Sequence, residues 1–225
     1  HPLLRSRLKQ RMVRSVIKKL QGSLAVFHGF LMTDRTILCF NRDRSFDECM
    51  AEAYRPELSV PGLDLCSDFF GSEEYARRLA RVQQRLRQAR QDFPGVWWCI
   101  ENDYPLYGAG LLLAEHICRI HHDYCLDVSH LWVSSLLFQK DFWEQAETIA
   151  RTGRVACVHF HANPVTVEMP LADYRDGHRS LTIPNQMKLE RLARILYQAG
   201  IRHWVIETPE ADLADLQLLA DWLGK

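Results

Sequence analysis

The sequence predicts an α/β protein whose parallel strands curve into a barrel, and three observations support this prediction. Helical and strand-like segments alternate along the chain from about residue 72 to the C-terminus. The strand-like runs are almost continuously apolar, as in parallel strands that helices cover. Polar residues follow several different strands, whose ends all face one centre in a barrel, whereas an open doubly wound sheet gathers its site at one switch point.

The length and composition fit a single domain over residues 1–225. The chain has 225 residues, 47% of them hydrophobic, which is enough for one sizeable core. The formal net charge is zero, so no global field attracts nucleic acid. Basic residues crowd the segments 5–19 and 77–90, and we interpret both as the solvated faces of helices. We therefore expect a small-molecule substrate rather than a nucleic acid, and the sequence is compatible with a homo-oligomer.

Cysteine usage and hydropathy predict a cytoplasmic protein. The seven cysteines are scattered and form no C-x-x-C pair, which favours a reducing compartment. No apolar run approaches the roughly 18 residues that span a bilayer, and no signal-peptide pattern is present. The chain starts at His1 without a methionine and enters a helical pattern directly, so we expect a preceding segment, such as a first strand, to be missing.

The N-terminal part gives fewer regular signals than the rest. Residues 3–21 carry an apolar residue at about each helical turn, which predicts a helix. Residues 24–27 read as a buried strand that ends at His28, and a short helix is expected from Phe46 to Tyr54. Pro61-Gly62 argues against a central strand at that point. We therefore expect an incomplete or irregular N-terminal part of the barrel.

From Ser72 onwards the pattern predicts a regular series of elements. Ser72 precedes two glutamates, which is typical of a helix start, and Pro94-Gly95 ends that helix. Thr208 and Pro209 predict the cap and the first residue of the last helix. The predicted strands cover 96–100, 124–127, 155–160 and 202–206, and the predicted helices cover 72–94, 108–120, 139–152, 186–199 and 210–223.

Metal-type ligands follow four of these strands. A glutamate comes after the first, an aspartate ends the second, histidines follow the third and a second glutamate follows the fourth. Carboxylates and imidazoles brought together in a water-accessible cavity can hold a divalent cation. We therefore predict a metal site formed by Glu101, Asp127, His159 and Glu207.

Three further residues are candidates for the same site. His130 lies one helical turn after Asp127. Its role is that of a second ligand, of a substrate contact or of the cap of the next helix. Asp176 and His178 lie in the loop before a predicted helix, where they are either a ligand pair or part of a turn.

Two more histidines are candidates for contacts with a substrate. His28 closes the earliest strand and is placed to face the same cavity. His161 shares a face with His159 if the strand continues through both residues. We interpret His159 as the metal ligand and His161 as its neighbour.

These motifs resemble those of the xylose-isomerase-like TIM barrel superfamily, which includes sugar-phosphate isomerases and epimerases and the endonuclease IV group. The resemblance covers most of the chain, best from Trp97 to Glu207. Each motif is short, so the resemblance rests on the order and placement of the motifs along the chain. The stretches concerned are His28-Gly29-Phe30, Ile100-Glu101-Asn102, Leu126 to His130, Val158 to His161, and Ile206-Glu207-Thr208-Pro209.

The resemblance implies a TIM-like (β/α) barrel that acts as a metal-dependent isomerase or epimerase of a sugar or sugar derivative. Its metal ligands would be Glu101, Asp127, His159 and Glu207, and the ion would be Mn²⁺, Mg²⁺, Co²⁺ or Zn²⁺, with iron also compatible. The two glutamates would exchange a proton at the carbon beside a carbonyl, while the metal polarises the oxygens. His130 and His28 would contact substrate hydroxyls.

The residues leave three other functions open. The first is a metal-dependent phosphodiesterase of the endonuclease IV type, because Asp176 and His178 resemble the nuclease ligand set. Against it, Ala162 stands where that family usually has an aspartate, and Ile183-Pro184-Asn185 replaces an expected Gly-x-Gly. The second is a multinuclear non-haem iron enzyme, and the third is a non-catalytic barrel that acts as a binding partner.

Overall fold

The computed structural model describes residues 15, 24–35 and 45–225. The helix predicted over residues 3–21 lies almost entirely outside the described residues. Within them, no helix is long and apolar enough to cross a membrane.

One five-stranded sheet, in the order β1-β2-β3-β4-β5, forms the centre of the fold. The pairs β2–β3, β3–β4 and β4–β5 are parallel. Five described strands in this order confirm the predicted α/β class, and the described part of the chain forms an incomplete TIM-like barrel. The strands are β1 (Leu24–His28), β2 (Trp97–Glu101), β3 (Tyr124–Asp127), β4 (Val155–His159) and β5 (Trp204–Val205).

The chain divides into two compact units, and the prediction of one domain over residues 1–225 stays a prediction. The N-terminal unit comprises residues 1–99 and 106–110, and the C-terminal unit comprises residues 100–105 and 111–225.

The N-terminal unit contains β1 and two capped helices, α1 (Phe46–Ala53) and α2 (Glu73–Asp92). Ser45 Oγ accepts a hydrogen bond from the Glu48 amide, and the Glu48 carboxylate accepts one from the Ser45 amide, which satisfies two donors that a helix start leaves free. The predicted helix starting at Ser72 is confirmed, because Ser72 caps α2. Trp98 and Phe93 pack with Ala89 in the core of this unit.

The predicted absence of a central strand at Pro61-Gly62 is also confirmed. The segment forms a 3₁₀ turn at Pro56–Leu58, followed by a single bridge between Ser59 and Cys66. Gly62 has φ +78°, a left-handed conformation that glycine adopts without steric cost.

The C-terminal unit contains the remaining helices, and the predicted ones all begin later in the structure than expected. In place of the helix predicted over 108–120, the structure has a short helix that begins only at Ala114, because Leu113 is extended, with φ −120° and ψ 166°. The helix predicted over 139–152 begins later, after Gln139 takes a left-handed φ of +53°. The helices of this unit are α3 (Ala114–Cys118), α4 (Val128–Leu137), α5 (Phe142–Arg151), α6 (Leu189–Gln198) and α7 (Leu213–Trp222).

Helix α4 has no counterpart among the predicted helices. Its residues from Val128 to Ser135 are all buried, so the helix lacks the polar face whose period makes a helix visible in a sequence. The start of α7 was also predicted wrongly. Asp212 caps α7 by accepting hydrogen bonds from the amides of Ala214 and Asp215, and Thr208 is not the cap.

Candidate functional site

The parallel register of the strands brings the four predicted metal ligands together. Asp127 on β3 pairs with His159 on β4, and Glu101 ends the neighbouring strand β2. One ligand atom from each of Glu101, Asp127, His159 and Glu207 lies within 4.8 Å of the others. His159 Nδ1 lies 2.9 Å from Glu101 Oε1 and 2.8 Å from Glu207 Oε2. We call this set the carboxylate cluster.

Burial and charge define the electrostatics of the carboxylate cluster. The side chain of Asp127 is 0% exposed, that of Glu101 is 4% exposed and that of Glu207 is 44% exposed. Burial raises the pKa of Asp127 to about 6, against the attraction of His130. Burial opposes a charge on His159, but its hydrogen bonds to both glutamates raise its pKa to about 10. The same hydrogen bond from His159 lowers the pKa of Glu207.

One carboxylate oxygen of Asp127 has no hydrogen-bond partner among the described residues. Asp127 Oδ1 accepts a 2.8 Å hydrogen bond from the His130 amide and so caps α4. Asp127 Oδ2 is buried and makes no hydrogen bond within the described part of the chain. Buried polar atoms are normally satisfied, so this oxygen is free to bind a cation.

Asn102 fixes the position of Asp127, a role that sequence reasoning missed. Its Nδ2 donates to the Asp127 carbonyl at 2.9 Å, and its Oδ1 accepts from the Asp127 amide at 2.8 Å. The Asn102 carbonyl also accepts a 2.9 Å hydrogen bond from His130 Nδ1. The available signal was the Glu-Asn pair at the end of β2, in which only the glutamate was predicted to have a role at the site.

A second set of ligand-type residues lies beside the carboxylate cluster, and we call it the histidine–aspartate triad. Asp176 Oδ1 lies 3.3 Å from both His130 Nε2 and His178 Nε2. Burial opposes a charge on His130, but the attraction of Asp127 and the contact with Asp176 raise its pKa to about 10. The contact with Asp176 raises the pKa of His178 to about 9. The structure therefore brings the predicted candidates His130, Asp176 and His178 together, and their role as ligands stays a prediction.

The fifth histidine candidate, His161, lies between these two sets. Its ring stacks on that of His178 with a centroid distance of 4.1 Å and an interplanar angle of 22°. Its Nε2 lies 3.7 Å from Asp127 Oδ1. Burial, with smaller effects of the nearby His178 and His130, lowers the pKa of His161 to about 3. His161 is therefore a neutral imidazole within reach of a ligand of the carboxylate cluster.

His28 lies in the N-terminal unit, at the end of β1, where its side chain is exposed. Its predicted contact with a substrate stays a prediction.

The loop that carries Asp176 and His178 is held by several hydrogen bonds. His178 Nδ1 donates to the Glu207 carbonyl at 3.0 Å, and Thr208 Oγ1 donates to the His178 carbonyl at 3.0 Å. Asp215, 0% exposed, accepts from Ser180 Oγ at 2.7 Å. Thr208 Oγ1 also accepts a 3.3 Å hydrogen bond from the Glu210 amide, so its hydroxyl closes a turn before α7 as well as holding the loop, and Asp212 caps the helix.

The architecture is similar to that of solved barrel structures. A D-tagatose 3-epimerase-like protein matches 97% of this chain and 84% of its own, with a TM-score of 0.55 and 14% sequence identity. The TTHB071 protein from Thermus thermophilus, in a structure obtained after soaking with ZnCl₂, matches 99% of this chain and 73% of its own, with a TM-score of 0.52 and 15% identity. Both likenesses show the fold alone. No protein-family model and no curated protein sequence matches the chain.

These likenesses confirm the predicted fold, an α/β barrel of the TIM type. In barrels of this architecture the functional residues lie at the C-terminal ends of the strands. Glu101, Asp127 and His159 occupy these ends on β2, β3 and β4.

Proposed function

We propose that the chain is a divalent-metal-dependent isomerase or epimerase of a sugar or sugar derivative, which moves a proton at the carbon beside a carbonyl. The observation that supports this most is the position of the two glutamates. Glu101 and Glu207 both contact the His159 ring, at 2.9 Å and 2.8 Å. Two carboxylates this close to one another can reach the same small substrate.

The donors of the carboxylate cluster fit a divalent cation. Three carboxylates and one imidazole suit Mn²⁺, Mg²⁺, Co²⁺ or Zn²⁺, and also Fe²⁺. The unpartnered, buried Asp127 Oδ2 provides an oxygen for such an ion. Bound there, the ion would polarise the carbonyl and hydroxyl oxygens of the substrate.

The two glutamates are the groups that we assign to proton transfer. The contact with His159 keeps Glu207 ionised, so its carboxylate can accept a proton from the substrate carbon. Return of a proton to the other face of that carbon gives an epimer. Return to the neighbouring carbonyl carbon, with transfer of the hydroxyl proton to the former carbonyl oxygen, gives the isomer. Glu101 is the second carboxyl group available for the exchange.

Glutamine variants test this assignment. We expect Glu101→Gln and Glu207→Gln to lose activity by about 10²- to 10⁴-fold, the usual contribution of a general acid or base. The assay follows the incorporation of solvent deuterium into a panel of ketoses and aldoses. Glu210→Gln is the matched control, because Glu210 lies on the same connection but pairs with Arg179 at an exposed position. Folded glutamine variants with full activity would instead favour a non-catalytic barrel.

The histidine–aspartate triad favours a second candidate, a phosphodiesterase that uses more than one metal ion. Such enzymes activate water and stabilise the charge of a transferring phosphate with a pair of ions. Hydrolysis of bis(p-nitrophenyl) phosphate that depends on Asp176, without any deuterium exchange into sugars, would establish this alternative. Deuterium exchange that survives Asp176→Asn would exclude it.

A further inference from the structure

Helix α7 carries an apolar stripe on its solvent face. Leu213 is 81% exposed and Leu216 is 57% exposed, and the half-buried Ala220 and Leu223 continue the same spacing. Intervals of three and four residues are those of the seam between two packed helices. Large aliphatic side chains that stay exposed side by side mark a surface that binds another molecule. We call these four residues the leucine stripe.

A groove runs along the neighbouring helix α6. Its volume is about 530 Å³, and α6 packs against α7. Trp222 at the end of α7 belongs to the lining, so α7 contributes to both the groove and the leucine stripe. We call this feature the α6 groove, and its lining includes Leu181, Lys188, Arg191, Arg194, Ile195 and Trp222.

The α6 groove is positively charged. Three cations line it, and Glu190 is the single acid among its described lining residues. Arg194 pairs with Glu190 at 2.8 Å. Lys188 and Arg191 lie over the ring of Trp143, at 5.4 Å and 5.0 Å from its centroid, and neither forms an ion pair with a described carboxylate. These two charges are therefore available to an acidic partner.

Helix α7 is negatively charged. Residues 212–222 include three aspartates and no lysine or arginine. Asp215 is buried, while Asp212 and Asp221 are exposed near the two ends of the helix and pair with no described cation. The leucine stripe is therefore flanked by charges opposite in sign to those of the α6 groove.

We propose that the leucine stripe and the α6 groove form a dimer interface between two copies of this chain, in which the stripe of each copy occupies the groove of the other. One chain carries both halves of the contact, so a two-fold axis satisfies both at once, as in most homodimers. Each copy then covers the exposed leucines of the other, and the acidic helix approaches Lys188 and Arg191 in both halves. The interface goes beyond the proposed function, which concerns the ends of the strands.

Sedimentation velocity of the full chain tests the interface. One chain has a mass of 26.2 kDa, and we expect the wild type to sediment with twice that mass. Leu216→Lys places a cation against the α6 groove, and Arg191→Glu reverses one charge of the groove. Each should raise the dimer dissociation constant by at least about 30-fold, the effect of losing a hot-spot side chain. Leu171→Lys is the matched control, because Leu171 is 39% exposed in a 3₁₀ turn outside both halves and should leave the dimer unchanged.

A mixture of the two variants distinguishes a stripe in a groove from two stripes packed on each other. In the mixed dimer, the intact stripe of the Arg191→Glu copy occupies the intact groove of the Leu216→Lys copy. In the other half, the introduced lysine meets the introduced glutamate. We therefore expect the mixture to dimerise under conditions in which neither variant does so alone.

The other outcomes would overturn the interface. A monomeric wild type would leave the α6 groove to an acidic segment of another protein. A dimer that survives both substitutions lies elsewhere, and one that only Leu216→Lys disrupts, or that the mixture does not restore, packs stripe on stripe. Circular dichroism checks that each variant folds, and Leu216→Gln replaces Leu216→Lys if the latter does not. Because the readout is mass rather than activity, failure of the proposed function would leave this result unchanged.

Discussion

Removal of the Asn102 side chain should weaken both the fold and the metal site. Asn102→Ala deletes two hydrogen bonds, at 2.9 Å and 2.8 Å, and leaves the buried amide and carbonyl of Asp127 without those partners. Each buried group left unsatisfied costs about 1–3 kcal/mol, so the free energy of unfolding should fall by about 2–6 kcal/mol. Because Asp127 is then free to shift, the affinity for Zn²⁺ should fall by about 10- to 100-fold, as for the loss of other residues that orient a metal ligand.

Urea denaturation of the metal-free chain measures the first effect, and calorimetric titration with Zn²⁺ measures the second. Asn185→Ala is the matched control, because Asn185 also makes two hydrogen bonds, to Ile183 and Met187, but only within its own loop. We expect this control to cost about 1 kcal/mol or less and to leave Zn²⁺ affinity unchanged. The reasoning is refuted if Asn102→Ala unfolds at the wild-type urea concentration and binds Zn²⁺ as tightly as the wild type.

Two further predictions concern buried groups of the C-terminal unit. Burial lowers the pKa of His116 to about 3, so the unfolded chain binds a proton that the folded chain excludes, and stability should fall by about 1 kcal/mol per pH unit as the pH drops below about 6.5. His116→Asn should remove most of this loss in urea denaturation at pH 7 and pH 5, and an unchanged pH dependence would contradict the assignment. In Gly177→Ala, the new Cβ would lie 2.6 Å from Pro164 Cδ, so the loop should shift at a cost of about 1–3 kcal/mol. Gly71→Ala, which meets nothing within 4 Å, is the control in thermal denaturation, and equal melting temperatures for both variants would show that the loop adapts without strain.

The sequence predicted the strands and their terminal ligands because both signals are local. Apolar runs mark buried parallel strands, and the residue after each run is then placed by the topology. The members of the carboxylate cluster, Glu101, Asp127, His159 and Glu207, could therefore be predicted from their positions after the apolar runs.

The remaining features depend on contacts that are distant in sequence. Asn102 and Asp127 are 25 residues apart, and no local pattern pairs an asparagine side chain with a distant backbone group. The cap of α7 was missed because Thr208-Pro209 and Asp212 both fit a helix start. Only the structure shows that Thr208 holds the loop at His178 instead.

The shortness of β5 has a consequence for Glu207. β5 ends at Val205, so Glu207 lies beyond the strand ladder. In the loop that carries Asp176 and His178, the His178 side chain donates a hydrogen bond to the Glu207 carbonyl. The backbone of Arg179 in the same loop makes two hydrogen bonds with that of Ala162, just after β4. The loop thus connects the ends of two neighbouring strands. No strand pairing holds the backbone of Glu207, so a shorter loop would change the position of this glutamate. We therefore expect loop length and the position of Glu207 to change together in proteins with this fold.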